Sequence, residues 1–365
     1  MSLPMNIVKF ANGNESVLKV YNQMRDYYFH YMSAHGKKIG DFDQTISLNE
    51  KEDKMHEALL SEVGRISGQK ISDDIPLEAW AMNPMVKWAT FAVVGMMIDA
   101  IIPDTIIKSV GLWSEIKTVG YGETLEVEIA PNSLFTVSES GNAKRFSFNN
   151  KDYKVTKTLS AVNHQITVEV SLYRVLAGKE NLAEFVRKAI MSMDRQMTVD
   201  NYNALNALVS NAKFPSDLTV NGYDAKELLH LCETVEAYNN GAGVTILGTQ
   251  SALYNVLPDS AKGYRITTDS ANMGIHLIRD FFDYDIMVLP QVATGERYGL
   301  RMDDTKLYIL STGADKLIKG VIEGNTMSYT DNNYDNADLT QHTTLNKRWG
   351  FAVCSNATAG VVKLA

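Results

Sequence analysis

A chain of 365 residues with 45 % hydrophobic and 21 % charged side chains is a folded protein, not a disordered or fibrous one. Its length allows about two to three lobes around a substantial core. The formal net charge of −8 excludes a dedicated nucleic-acid reader, which carries a basic domain or stripe.

Two cysteines, Cys232 and Cys354, are too few for a disulfide framework, and their apolar surroundings read as buried, reduced thiols. Residues 1–10 lack the basic head and apolar run of a secretory signal, so the expected compartment is a cytoplasm. The charge is uneven. Residues 143–213 carry 11 basic and 6 acidic side chains, while the segments on either side are net acidic. This is either an ordinary solvated surface or a self-complementary one, in which the middle of one copy meets the flanks of another.

In chain order, residues 14–68 read as two amphipathic helices. The first places Val17, Tyr21, Met24, Tyr28 and Tyr31 at helical spacing. The second opens on the capping box Ser47-Leu48-Asn49-Glu50 and carries Met55, Leu59 and Val63 on one face. With few heavy apolar residues, the pair is expected to be an extended arm that docks elsewhere. Residues 76–110 are apolar and mostly helical, broken at Pro84 and Pro103. Their most apolar stretch, residues 88–98, is too short to span a bilayer and reads as a buried core helix.

The period then changes. Leu125, Val127 and Ile129 alternate with Glu126 and Glu128, and Ile166, Val168 and Val170 alternate with Thr167 and Glu169. Residues 113–172 therefore form a β-rich excursion of hairpins, too polar to make a thick core and obliged to lie along another surface. Residues 180–212 follow as one helix of roughly 50 Å, with a methionine-bearing apolar stripe that reads as core packing. A capped helix from Asp224 turns Leu228, Leu231, Cys232 and Val235 inward. Strands at 244–247, 286–289, 307–310 and 317–321, a short helix at 251–257 and a helix at 277–282 complete a compact α/β lobe. Residues 350–364 read as two strands around a turn at 356–360.

Catalytic signatures are weak. Gly241-Ala242-Gly243 lacks a third glycine and precedes a strand, so it is a helix-to-strand turn and not a dinucleotide loop. Asp41-Phe42-Asp43-Gln44-Thr45 matches the DxDxT pattern of aspartate-nucleophile phosphatases. It lies in a loop, whereas that chemistry needs the end of a buried parallel strand. Asp331, Asn333 and Asp335 are spaced like calcium ligands, but Asn336 replaces the turn glycine and His342 the bidentate glutamate. No catalytic residue, cofactor or metal site is assigned. Lys144, Arg145, Lys151, Lys154 and Lys157 lie near Phe146, Phe148 and Tyr153. Strand alternation puts aromatics on one face and lysines on the other, which favours packing on a neighbouring subunit over stacking on single-stranded nucleic acid.

An arm, a strand-rich excursion, a long helix, an α/β lobe and a returning C-terminal strand follow one another. In this order, and in Gly122-Glu123-Thr124, residues 134–138, Ile166 through Gly178, Val244 through Gly248, Leu307 through Leu310 and Lys347 through Val353, the chain resembles the HK97-type major capsid proteins of tailed bacteriophages. The resemblance covers residues 84–365 and implies an α+β fold. It would make 1–112 the N-terminal arm and helices, 113–172 the β-hairpin E-loop, 173–222 the P-domain with its spine helix, 223–340 the α/β A-domain, and 341–365 C-terminal P-domain strands. It implies a non-enzymatic shell protein that assembles with itself into hexamers and pentamers around packaged double-stranded DNA. Lys144, Arg145, Lys151, Lys154 and Lys157 would be inter-subunit contacts. Portal, scaffold and decoration proteins would be further partners, DNA contact would be non-specific, and no membrane would be involved. The virion would be the location and the host bacterial cytoplasm the place of assembly. An encapsulin-like nanocompartment, a cellular scaffold and a phosphatase using Asp41 and Asp43 are the competing readings.

Overall fold

The computed structural model describes residues 15–37, 39–69, 83–111, 113–132, 134–135, 137, 152–170, 180–211, 214–256, 280–294, 298–313, 315–330 and 341–364. Four long helices build the larger core: α1 (Glu15–Ala34), α2 (Leu48–Ser67), α3 (Pro84–Val110) and α4 (Leu182–Val209). They pack with a sheet of β1 (Ser114–Val119), β10 (Ile318–Thr330), β11 (Gln341–Val353) and β4 (Val162–Val170), in that order.

The first two helices are not a loose arm. Beyond the predicted positions, Val20, Tyr27, Phe29 and Met32 of α1 are also buried. They widen its apolar stripe enough to enter the main core with Met55, Leu59 and Val63 of α2. The helical spacing holds, and Tyr21, Tyr27 and Tyr28 carry much of the burial. The N-cap half of the predicted capping box forms: the Ser47 hydroxyl accepts the Glu50 N–H at 3.3 Å, while the Glu50 carboxylate pairs with Lys54, and Gly68 closes α2 at φ +71°. In α3, Pro84 starts the helix instead of breaking it, because the first turn needs no donor there; Asn83 caps it. Pro103 is accommodated inside, so α3 runs 27 residues. That is long and apolar enough to cross a membrane by length and composition, contrary to the short stretch expected. Yet 72 % of its apolar window is buried, as a core helix requires.

At 1.5 Å per residue, the 28 residues of α4 span about 42 Å, somewhat less than expected. Met193 and Met197 are buried in the core as predicted. Asp194 beside them is also buried, 3.8 Å from Lys37 Nζ, and its Oδ1 has no hydrogen-bond partner. Burial pushes this carboxyl above the usual range, against the opposing pull of Lys37. A carboxyl raised on folding costs stability when charged, and that cost disappears as pH falls through its folded value toward the unfolded one. Asp194→Asn is therefore expected to stabilise the protein at pH 7 by on the order of 1 kcal/mol. The gain should fade in acid, as measured by denaturant unfolding at neutral and acidic pH.

The second core belongs to a six-stranded sheet ordered β5 (Thr219–Asn221), β12 (Gly360–Lys363), β9 (Lys306–Ser311), β6 (Val244–Gly248), β8 (Tyr284–Val288) and β7 (Asp280–Phe281). Every residue of β6 is buried, as a central strand requires. Against this sheet pack α5 (Ala225–Tyr238) and the short α6 (Gln250–Leu253). Asp224 caps α5 through the Lys226 and Glu227 N–H groups, and Leu228, Leu231, Cys232 and Val235 face inward as predicted. Burial pushes the Cys232 thiol up to about 12. Asn240 and Gly241, both at positive φ, make the predicted helix-to-strand turn.

Three expectations about strand partners need correction. β1 is not part of a hairpin: it pairs in parallel with β10, Ser114 opposite Ile318. The strand predicted at 317–321 is β10, which belongs to the four-stranded sheet and not to the α/β lobe. The two strands predicted in 350–364 fall in different sheets, β11 in the first and β12 in the second. Alternation reports which face is wet, not which neighbour a strand pairs with. In the helix predicted at 277–282, residues 280–281 are strand and Phe282 lies in a turn; residues 277–279 lie outside the described residues.

Candidate assembly interface

The excursion proper is a two-stranded ribbon, β2 (Leu125–Ile129) against β3 (Val155–Leu159), with Leu125 opposite Leu159. Only Val127 and Leu159 in it are buried. A two-stranded ribbon is marginal in water and needs a surface to pack on. Lys154 and Lys157 are both exposed on it. Lys154 pairs with Glu128 across the ribbon at 3.2 Å. Lys157 shares its strand face with exposed Val155. Lys144, Arg145 and Lys151 lie outside the described residues, as do Phe146 and Phe148.

Both ends of the ribbon are rooted in one ion pair. Glu323 of β10 is 4 % exposed, and Arg348 of β11 donates to its Oε1 at 2.6 Å. On the outgoing limb, the Gly122 N–H donates to the same oxygen at 2.9 Å, with Gly122 at φ +80°, which glycine reaches without strain. On the returning limb, Arg348 reaches the Ala161 carbonyl at 3.4 Å. Beyond the root, the His164 ring stacks on Trp349 at 3.8 Å, and Trp349 Nε1 donates to Asp200 of α4 at 2.8 Å. Strands β4 and β11 are thus bound to the long helix.

A cluster of asparagines fixes the far side of the outgoing limb. Asn132 donates to the Tyr238 carbonyl at 3.0 Å, Asn240 donates to the Asn132 carbonyl at 3.1 Å, and Asn356 donates to the Ala130 carbonyl at 2.9 Å. Directly after this clasp stand Leu134, Phe135 and Val137, at least 61 % exposed. They form an apolar run that this subunit leaves wet. Sequence reasoning missed the clasp, because three scattered asparagines carry no periodic signal.

The rival sites gain nothing from the structure. Asp43 sits in the exposed loop between α1 and α2, where its Oδ1 accepts the Thr45 N–H at 2.9 Å and hydroxyl at 2.7 Å. Those bonds hold its carboxyl below the usual range. It closes a turn and does not end a buried strand. Residues 331–340 of the calcium-like stretch lie outside the described residues. Among the described residues, no three His, Cys, Asp or Glu side chains are placed to hold a metal ion.

A long helix laid across a sheet, an extended ribbon springing from that sheet and a separate α/β lobe closed by the C-terminal strand define the HK97-type capsid fold. The class is that of shell-forming structural proteins, not enzymes. A family model described as "SPbeta prophage-derived putative capsid protein YonB" matches residues 33–363, and the chain belongs to that family. It is a phage capsid shell protein. Among solved structures, the capsid of a native GTA particle is 12 % identical, covers 70 % of this chain and 90 % of its own, and has a TM-score of 0.50. The mature capsid of bacteriophage PhiM1 is 12 % identical over 69 % of this chain and 85 % of its own, TM-score 0.46. The virus-like particle from Pyrococcus furiosus is 10 % identical over 72 % and 96 %, TM-score 0.45. No curated protein matched.

Proposed function

We propose that many copies of this chain tile a closed icosahedral shell around packaged double-stranded DNA, assembled in the host bacterial cytoplasm. The observation that carries this reading is the unpacked ribbon with the exposed Leu134, Phe135 and Val137 beside it. A folded subunit that holds so much extended surface in place is shaped to bury it on neighbours. On this reading residues 1–112 are the arm and helices, 113–172 the loop that reaches adjacent subunits, 173–222 and 341–365 the peripheral domain, and 223–340 the lobe clustered around hexamer and pentamer centres. Lys144, Arg145, Lys151, Lys154 and Lys157 meet acidic surface of the next copy. Portal, scaffold and decoration proteins join the same shell.

With a net charge of −8 the subunit neutralises little of a genome, so solvent cations balance the phosphates and DNA contact is non-specific. Particles released from producing cells are expected to protect double-stranded DNA from nuclease. Particles that protect a protein cargo and no DNA would favour a nanocompartment instead.

A further inference from the structure

The β7–β8 hairpin turns on Phe282 and Asp283, at φ +47° and +70°, between the pairs Asp280–Asp285 and Phe281–Tyr284. Two successive left-handed residues make a type I′ turn, which ordinarily takes Asn-Gly because a Cβ at positive φ crowds the following carbonyl. Phenylalanine is among the residues worst suited to it. The strain does not serve the lobe's core, for the Phe282 ring is 69 % exposed and its one ring neighbour among the described residues is Phe281, edge-on at 5.0 Å. Backbone strain persists where a residue has work other than folding.

The surroundings indicate which work. Strand β7 is the outer edge of the six-stranded sheet, and Asp283 and Asp285 are exposed beside the ring. Neither carboxylate holds an ion pair among the described residues. The chain itself supplies the complement: 11 basic against 6 acidic side chains in residues 143–213, with Lys154, Lys157 and Arg195 exposed. We infer that the Phe282 turn is an inter-subunit contact, in which the ring and the two carboxylates seat against a basic face of a second copy of this chain. An exposed ring flanked by carboxylates suits a lysine or arginine in two ways, through the π face and through the ion pair. The inference rests on the shell reading and adds the acidic partner that reading lacks.

Phe282→Asn and Phe282→Tyr test it, with shell yield measured by light scattering and melting measured on the unassembled subunit. Asparagine tolerates the left-handed turn, so Phe282→Asn is expected to melt within about 2 °C of the unaltered chain, or higher. Its shell yield should fall at least about tenfold, while Phe282→Tyr keeps the yield. Normal yield from Phe282→Asn would overturn the inference. So would a subunit that melts more than about 5 °C lower or is insoluble, because the ring would then serve the fold. Absence of shells from the unaltered chain would instead overturn the shell reading, and this inference with it.

Discussion

Replacing Asp99 by alanine is expected to lower the melting temperature by about 4–7 °C, from a loss of about 3–5 kcal/mol. Asp99 stands on α3 and is nearly buried. It receives Lys347 Nζ from β11, whose side chain is 2 % exposed. Its two oxygens also accept the Thr326 N–H at 2.9 and 2.8 Å, and Oδ1 accepts the Thr326 hydroxyl at 2.6 Å. The pairing of β10 with β11 shifts register between Glu323 and Met327, so backbone there is unpaired within the ladder. Asp99 satisfies that backbone and neutralises the buried lysine together. Alanine leaves both uncompensated, and an unpaired buried charge costs more than the pair itself contributes. The double variant Asp99→Leu with Lys347→Met should recover part of the loss, since no charge is then stranded. Thermal unfolding of the two variants checks this; equal losses would mean that the Thr326 bonds dominate.

The second large effect falls on assembly and not on folding. Reversing Lys151, Lys154 and Lys157 to glutamate takes the net charge from −8 to −14. The one ion pair seen there, Lys154 with Glu128, has both side chains about two-thirds exposed. Such pairs contribute about 0–1 kcal/mol, so the subunit is expected to melt within about 2 °C of the unaltered chain. Between subunits the same change sets like charges opposite each other, which costs several kcal/mol per contact and repeats at every interface. Shell yield should fall at least about tenfold. Unchanged yield would remove these lysines from the interface.

The sequence made some levels of this structure legible and hid others. Caps were readable because they are local: Ser47 with Glu50 and Asp224 with Glu227 declare themselves within four residues. The inward face of α5 and the buried strand β6 followed from periodicity alone. The order of elements carried the resemblance to capsid proteins, which the family match bears out. Partners were not readable. Alternation in 317–321 and 350–364 gave strands but not sheets, since pairing joins segments distant in sequence, as with β1 and β10, about 200 residues apart. Tyr27 and Phe29 lie off the predicted stripe: beside Tyr28 they bury a second side of α1, which a single stripe at helical spacing does not reveal. The assembly surface was half legible. Its lysines stand out as a basic cluster, whereas the asparagine clasp and the strained Phe282 turn exist only in three dimensions.

Electron microscopy of the purified full-length chain, with its mass taken by light scattering, tests the central claim most directly. A capsid subunit predicts closed shells of megadalton mass, with hexameric and pentameric clusters on their surface. A uniform population of monomers or small discrete oligomers, under conditions where the subunit is folded, would contradict it.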